Sequence, residues 1–152
     1  MFQILSGSEE ETEQIGFRLG TKMKNGGFVA LYGDLGAGKT AFTRGLVSAL
    51  GPGEEVCSPT FTLMQQYAGI TPVCHFDAYR MGGAAEAWEL GFDEYFARND
   101  IVCVVEWAEN IKDALPEARM DVTITGSGEE PRTIRFQPHG DRYKTMEEEL
   151  NP

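Results

Sequence analysis

The chain has 152 residues, the usual length of a single domain, and its 41% hydrophobic and 24% charged content is typical of a globular protein. Its 24 acidic and 13 basic side chains give a formal net charge of -11. This balance argues against broad, independent binding of nucleic acid, which requires clustered Lys and Arg. The three cysteines form no C-x-x-C pair, and the N-terminus lacks the pattern of a secretory signal. We therefore expect a cytoplasmic protein with free thiols and no membrane segment.

The first half of the chain alternates between helical and strand patterns. Ser8 followed by Glu11 resembles a capping box and predicts the start of a helix. Residues 28–32 are apolar and predict a short buried strand. A glycine-rich loop over 33–38 follows, and residues 39–50 then predict a second helix. A strand that leads into a glycine-rich loop and a helix is a common frame for binding phosphate groups.

The second half predicts two antiparallel hairpins on either side of an almost purely apolar strand of the kind found in parallel sheets. The predicted strands are 61–67, 73–78, 101–105, 120–125 and 133–137, and helical stretches are predicted at 85–96 and 107–115. Parallel and antiparallel connections in one chain predict an α/β sandwich with a mixed central sheet. The residues from 139 onward are charged, and we expect them to form a frayed tail.

Residues 33–40 read Gly-Asp-Leu-Gly-Ala-Gly-Lys-Thr and match the phosphate-loop pattern G-x-x-x-x-G-K-[ST] at each fixed position. In such a loop the lysine, here Lys39, reaches the β and γ phosphates, and the hydroxyl of Thr40 binds magnesium. The predicted nucleotide-binding positions of this segment are Gly33, Leu35, Gly36, Ala37, Gly38, Lys39, Thr40 and Ala41. The expected fold is therefore a P-loop NTPase-like three-layer sandwich with a mixed, partly parallel sheet. Its single domain spans 1–138, and an acidic, mobile tail spans 139–152.

A site of this kind also needs a carboxylate near the metal, usually at the end of an apolar strand. Glu106 follows the strand at 101–105 and is the favoured direct or water-mediated magnesium ligand. Asp77 ends the apolar run 73–76 of a second strand and could share the metal shell or orient the attacking water. Thr60 lies in a Pro-containing loop beyond the phosphate loop, which is either a nucleotide-sensing switch or a simple turn.

Several other side chains have both a functional and a purely structural interpretation. Arg44 and Arg80 could stabilise charge in the transition state or simply lie on the surface. Trp107 could pack in the core, or it could contact the site or a partner protein. His75 and His139 show no metal-ligand spacing and are interpreted as structural or exposed.

The bound nucleotide is predicted to be ATP. The guanine-reading string Asn-Lys-x-Asp is missing, since residues 110–113 read Asn-Ile-Lys-Asp, and Asp77 is not followed by a glycine at the switch spacing.

Two functions other than a hydrolysing ATPase remain open. A small-molecule kinase would need a lid with several arginines, and the chain has few after the phosphate loop. A nucleotide sensor that does not hydrolyse ATP would need no positioned water.

These ordered motifs resemble the TsaE (YjeE) family of bacterial tRNA threonylcarbamoyladenosine biosynthesis. The segments that carry the resemblance are 12–19, 33–40, 58–61, 75–80, 90–95 and 106–109. Ala108 departs from the family pattern, which usually has Pro at this place. The motifs cover most of the chain and are more specific than a phosphate loop alone.

The resemblance implies a magnesium-dependent ATPase that works with the TsaD and TsaB transferase pair. That pair modifies the adenosine beside the tRNA anticodon, and ATP hydrolysis is expected to reset the complex between turnovers. The ATPase itself would meet tRNA only through the complex. The implied roles are adenine contact for Thr12, nucleotide and metal binding for Lys39 and Thr40, magnesium binding for Glu106, and a requirement in activity for Asp77 and Trp107.

Overall fold

The computed structural model describes residues 2–34, 36–51, 56 and 63–151, and it consists of a seven-stranded sheet between two helical layers. The strands are β1 (Phe2–Ser6), β2 (Gly27–Tyr32), β3 (Met64–Tyr67), β4 (Val73–Asp77), β5 (Val102–Glu106), β6 (Arg119–Thr125) and β7 (Arg132–His139). The helices are α1 (Glu9–Gly20), α2 (Lys39–Leu50), α3 (Ala84–Glu89), α4 (Phe92–Phe96) and α5 (Asp141–Leu150), with a 3-10 segment over Ala108–Ala114.

The strand order across the sheet is β1-β7-β6-β2-β5-β4-β3. The four strands β6, β2, β5 and β4 run parallel, whereas β1, β7 and β3 pair antiparallel with their neighbours. This arrangement confirms the predicted mixed, partly parallel sheet, the two predicted hairpins and the parallel pairing of the apolar strand β5. One hydrophobic cluster fills the space between the sheet and α1, α2 and α5, and a second lies on the opposite face, under α3, α4 and the 3-10 segment.

Helices α1 and α2 pack unusually closely because glycines line their contact. A Cβ atom at Gly16 would lie 2.0 Å from the carbonyl oxygen of Phe42, and one at Gly45 would lie 1.8 Å from that of Glu13. No larger side chain fits either position without moving the backbone. The close packing brings the first turn of α1 next to the first turn of α2, where the phosphate loop ends.

The expectation of a frayed tail from residue 139 is wrong. His139 ends β7, and α5 follows with Tyr143, Met146 and Leu150 buried against the sheet. These three residues recur at helical spacing and form an apolar stripe, but most of the residues between them are charged, so the stripe is hard to recognise in the sequence. The backbone N–H of Phe28 also donates a 2.9 Å hydrogen bond to the buried hydroxyl of Tyr143. The segment is therefore part of the packed domain.

Strand β1 was not predicted from the sequence. It pairs antiparallel with β7 at the edge of the sheet, and its burial alternates along the strand.

The segment predicted as helical over 107–115 forms a 3-10 helix. It begins at Ala108, directly after Trp107, whose backbone is in a left-handed conformation. Within the described residues, no helix is both long and apolar enough to cross a membrane.

Candidate nucleotide-binding site

Three parallel strands end at the same edge of the sheet, and each delivers part of the site. Strand β2 leads into the phosphate loop, β4 ends at Asp77, and β5 ends at Glu106. Asp77 and Glu106 are direct register partners on neighbouring strands, and Glu106 is also paired with Leu31 of β2. Ligands of open α/β sheets bind at the carboxyl ends of the strands, which is where these side chains meet.

A cavity of about 1150 Å³ opens at this edge. Its walls come from the start of α1, the phosphate loop, the ends of β4 and β5, and the turn between β6 and β7. The lining residues are Ser6, Gly7, Ser8, Glu9, Thr12, Gly36, Gly38, Lys39, Thr40, Ala41, Asp77, Tyr79, Arg80, Glu106, Trp107, Gly128, Glu129, Glu130 and Arg132. The volume is of the size that proteins use to hold small-molecule ligands or cofactors.

Two glycines of the phosphate loop have backbone angles in the left-handed region. Gly36 and Gly38 have φ values of 79° and 110°, which a residue with a Cβ atom rarely adopts. Gly38 precedes α2, and no side-chain hydrogen bond caps the helix at this residue. The positive end of the helix is therefore directed to the cavity wall and can receive an anion. Leu35, also predicted to bind nucleotide, lies outside the described residues.

Lys39 is buried at the floor of the cavity with only 6% of its surface exposed. Its Nζ donates a 2.6 Å hydrogen bond to the carbonyl of Gly33 and lies 3.7 Å from the centroid of the Trp107 ring. Burial lowers the pKa of Lys39, and nearby carboxylates, Glu106 first among them, oppose that shift. The carboxylates thus help to keep an ammonium group charged in a place where phosphate groups would bind.

Both candidate acids are almost fully buried, with 4% exposure each, and both are held in place. The Oδ1 atom of Asp77 accepts a 2.8 Å hydrogen bond from the backbone N–H of Tyr79. The Oε2 atom of Glu106 lies 2.6 Å from Nε2 of His75, which is itself completely buried. Fixed carboxylates lose little conformational freedom when they bind a ligand, which favours a preorganised site.

His75 was interpreted as structural or exposed, and the structure places it in contact with the predicted magnesium ligand. The Nδ1 atom of His75 has no hydrogen-bond partner in the described part of the chain. The spacing of His75 and Asp77, two residues apart in one strand, already put both on the same face of β4. Its contact with Glu106, however, depends on the pairing of β4 with β5 and is not visible in the sequence.

The oxygen-bearing side chains of Thr40, Asp77 and Glu106 line the same cavity and form a donor set that suits magnesium. No group of three or more His, Cys, Asp or Glu side chains in the described residues could hold a metal by itself. Magnesium in nucleotide sites usually binds one or two carboxylates together with phosphate oxygens and water.

Trp107 connects the buried lysine with the surface of the protein. Its backbone is in the left-handed region, with φ 57° and ψ 39°, which is an outlier for a bulky side chain. The ring is half-buried and packs against Tyr79, with 4.8 Å between the ring centroids and an angle of 36° between the ring planes. Strain of this kind is concentrated at functional sites, and Trp107 is a contact of the cavity as well as of the second hydrophobic cluster.

The structure brings together most of the other predicted positions. Thr12 is buried in the cavity wall, with its hydroxyl oxygen 2.7 Å from that of Ser6. Arg80 also lines the cavity. Arg44 does not, because it forms ion pairs with Glu9 and Glu13 at the contact between α1 and α2. Thr60 and the rest of segment 58–61 lie outside the described residues.

Two parts of the cavity were not predicted from the sequence. The chain from Ser6 to Glu9 forms one wall, and the turn from Gly128 to Arg132 forms another. Neither carries a phosphate-binding motif. They reach the site only because β1 and β7 pair with each other and β6 lies beside β2.

Comparison with known proteins agrees with this geometry. The family profile described as "Threonylcarbamoyl adenosine biosynthesis protein TsaE" matches residues 6–134. The TsaE protein of Bacillus subtilis is 43% identical over 143 residues, which cover 93% of this chain and 89% of the relative. The TsaE protein of Streptomyces coelicolor is 36% identical, over 88% of this chain and 95% of the relative.

A solved structure has the same fold. The crystal structure of Bacillus subtilis YdiB superposes with a TM-score of 0.84 at 38% sequence identity, and the match covers 99% of this chain and 93% of that one. The matched residues 6–134 include the phosphate loop and the ends of β4 and β5. The chain therefore belongs to the TsaE family of threonylcarbamoyl adenosine biosynthesis proteins.

Proposed function

We propose that this protein is a magnesium-dependent ATPase required for threonylcarbamoylation of the adenosine beside the anticodon of tRNA. It acts by nucleotide-driven cycling of a complex with the TsaD and TsaB transferase pair. The observation that carries the proposal is the meeting of Lys39, Asp77 and Glu106 in one cavity beside a complete phosphate loop.

Each part of the cavity has a role in binding ATP. The loop amides and the start of α2 receive the phosphate oxygens, and Lys39 neutralises the β and γ phosphates. Thr40 and Glu106 would hold magnesium, which would neutralise charge that develops on the phosphates. The first turn of α1, with Thr12, forms the wall nearest the adenine.

Hydrolysis requires a water in line with the γ phosphate. Asp77 is the carboxylate proposed to orient that water, because it lies next to Glu106 and is held by the backbone N–H of Tyr79. Thr60 is proposed to sense the γ phosphate as part of a switch segment. Trp107 contacts both Lys39 and Tyr79, and it is proposed to transmit the nucleotide-bound state of the site to the partner proteins through its ring contact with Tyr79.

The decisive experiment measures ATP hydrolysis by the purified chain, first alone and then with the TsaD–TsaB pair, over a range of magnesium concentrations. Weak activity alone that rises with both partners would support a partner-gated ATPase. Activity that ignores the partners but appears with a small phosphate acceptor would identify a kinase instead. Tight ATP binding with no hydrolysis under any of these conditions would identify a nucleotide sensor.

A further inference from the structure

Arg132, the first residue of β7, contacts the phosphate loop across the cavity wall. Its Nε donates a 3.0 Å hydrogen bond to the carbonyl of Ala37, and its Nη2 donates a 3.2 Å bond to the carbonyl of Gly36. The same guanidinium also donates to the carbonyls of Gly128 and Glu130 in the turn before β7. One side chain therefore ties the phosphate loop to the β6–β7 turn.

The charge of this guanidinium is available to the cavity. Its four acceptors are backbone carbonyls, and within the described ranges no carboxylate pairs with it. Arg132 is half-buried and lines the cavity together with Lys39. A cation in the wall of a phosphate site adds to the potential that attracts an anion.

The glycines of the phosphate loop give its backbone high conformational freedom, so contacts that hold the backbone in place matter for binding. The stretch Gly36-Ala37-Gly38 contains two glycines with positive φ, and glycine loses more conformational freedom on ordering than any other residue. A trans peptide directs its N–H away from its C=O. When Arg132 holds the Ala37 carbonyl, the N–H of Gly38 therefore points away from the guanidinium. The N–H of Ala37 already donates to the carbonyl of Asp34 at 3.1 Å, which closes the other side of this turn.

We propose that Arg132 is a positioning residue of the nucleotide site, which holds the backbone of residues 36 and 37 in the phosphate-binding conformation before the nucleotide arrives. The inference rests on the proposed function, since it assumes that the loop binds the phosphates of ATP. Holding the loop in its bound shape reduces the entropy lost on binding, so affinity is gained without a new contact.

The test compares Arg132→Lys and Arg132→Ala with the matched control Arg135→Lys. Arg135 lies on the same strand but is exposed and does not line this cavity. Lysine keeps the charge, but its single ammonium group lacks the planar fork that reaches two carbonyls at once. We expect both Arg132 variants to weaken Mg-ATP binding about tenfold or more by calorimetry, because each loses charge-assisted hydrogen bonds. The control should bind as the wild type does.

A second readout needs no nucleotide. In hydrogen exchange, the amides of residues 36–41 should exchange faster in both Arg132 variants than in the wild type, while those of β2 and β5 stay equally protected. Added methylguanidinium should restore part of the ATP affinity of Arg132→Ala by filling the vacated position. This rescue would not occur if the substitution had merely disturbed the fold.

The outcomes separate this inference from the proposed function. If wild-type protein does not bind Mg-ATP, or Lys39→Ala binds as tightly as wild type, the proposed function fails, and the exchange experiment still tests the restraint. If Arg132→Lys matches the wild type in both measurements, charge alone matters and the positioning role is overturned. If Arg132→Ala is insoluble, the lysine variant and its exchange rates decide the question.

Discussion

At the scale of single residues, the site concentrates charge on side chains that are almost fully buried. Lys39, Asp77 and Glu106 are each less than 7% exposed. Burying an isolated charge is costly, and it is tolerated here because an ammonium group and two carboxylates share the cavity. A bound triphosphate with magnesium would supply further charges of both signs to the same cavity.

The two carboxylates can be distinguished by isosteric changes. Asp77→Asn should slow ATP hydrolysis about a hundredfold or more while ATP affinity stays nearly unchanged, because the neutral amide accepts hydrogen bonds more weakly than the carboxylate and cannot take a proton from the attacking water. Glu106→Gln should instead shift the magnesium concentration needed for ATP binding to higher values. Each variant serves as the control for the other. An unchanged magnesium titration for Glu106→Gln would move the metal role to Asp77.

Trp107 should be needed for the response to partners more than for folding. Trp107→Ala removes a half-buried ring and its contact with Lys39, so we expect a folded protein whose ATPase is no longer stimulated by TsaD and TsaB. Trp107→Phe should keep part of the stimulation because it retains a ring next to Tyr79. Thermal unfolding and partner-stimulated hydrolysis are measured together. Loss of folding in Trp107→Ala would mean that the residue is part of the core.

At the scale of elements, the site is assembled from parts that pack against one another. The glycine contacts of α1 and α2 place Thr12 next to Gly38, where a Cβ atom would lie 3.6 Å from the Thr12 methyl group. The β6–β7 turn closes the opposite wall through Arg132. The position of the proposed ligand's adenine thus depends on the packing of α1 against α2. The position of its phosphates depends on the strand order that brings the β6–β7 turn to the cavity.

Helix α5 should contribute to stability without taking part in nucleotide binding. Tyr143→Phe removes the hydroxyl that accepts from the backbone N–H of Phe28 and leaves that donor buried without this partner. We expect the free energy of unfolding to fall by about 1–3 kcal/mol, measured by urea denaturation, with ATP affinity unchanged. Lys144→Ala, on the exposed side of α5, is the control and should have little effect. Equal stability of both variants would show that α5 is not firmly packed.

At the scale of the whole molecule, the net charge of -11 limits what the protein can bind by itself. Nucleic acid binding gains most of its affinity from cations that displace counterions, and an acidic protein repels the phosphate backbone. This agrees with the proposed division of labour, in which the partners hold the tRNA and the ATPase drives the cycle.

The isolated chain should therefore not retain tRNA at physiological salt. We expect no gel shift of tRNA by the chain alone, and a shift when the TsaD–TsaB pair is present, because the cations that contact the phosphates are supplied by the partners. The same assay with Mg-ATP tests whether the nucleotide changes the complex. Direct, salt-dependent binding of tRNA by the chain alone would contradict the indirect role.

Local sequence patterns predicted most of the elements that carry the site. Helix α1 starts after Ser8 as predicted, with the Ser8 hydroxyl accepting from the N–H of Glu11 at 3.1 Å, although the Glu11 carboxylate accepts from Gly7 N–H instead of Ser8. Helix α2 spans Lys39–Leu50 as predicted. These features depend on neighbouring residues alone, which is why the sequence could predict them. The frayed-tail expectation failed because the apolar residues of α5 are few, and their burial depends on contact with distant elements.

The sequence by itself determined the phosphate loop, the apolar strands that end in Asp77 and Glu106, and the family to which the chain belongs. Only the tertiary structure decided that His75 contacts Glu106, that Lys39 lies beneath Trp107, and that Arg132 reaches Gly36 and Ala37. The first group follows from residue order over short stretches. The second joins residues up to 96 positions apart, whose contact depends on strand pairing that no local pattern specifies.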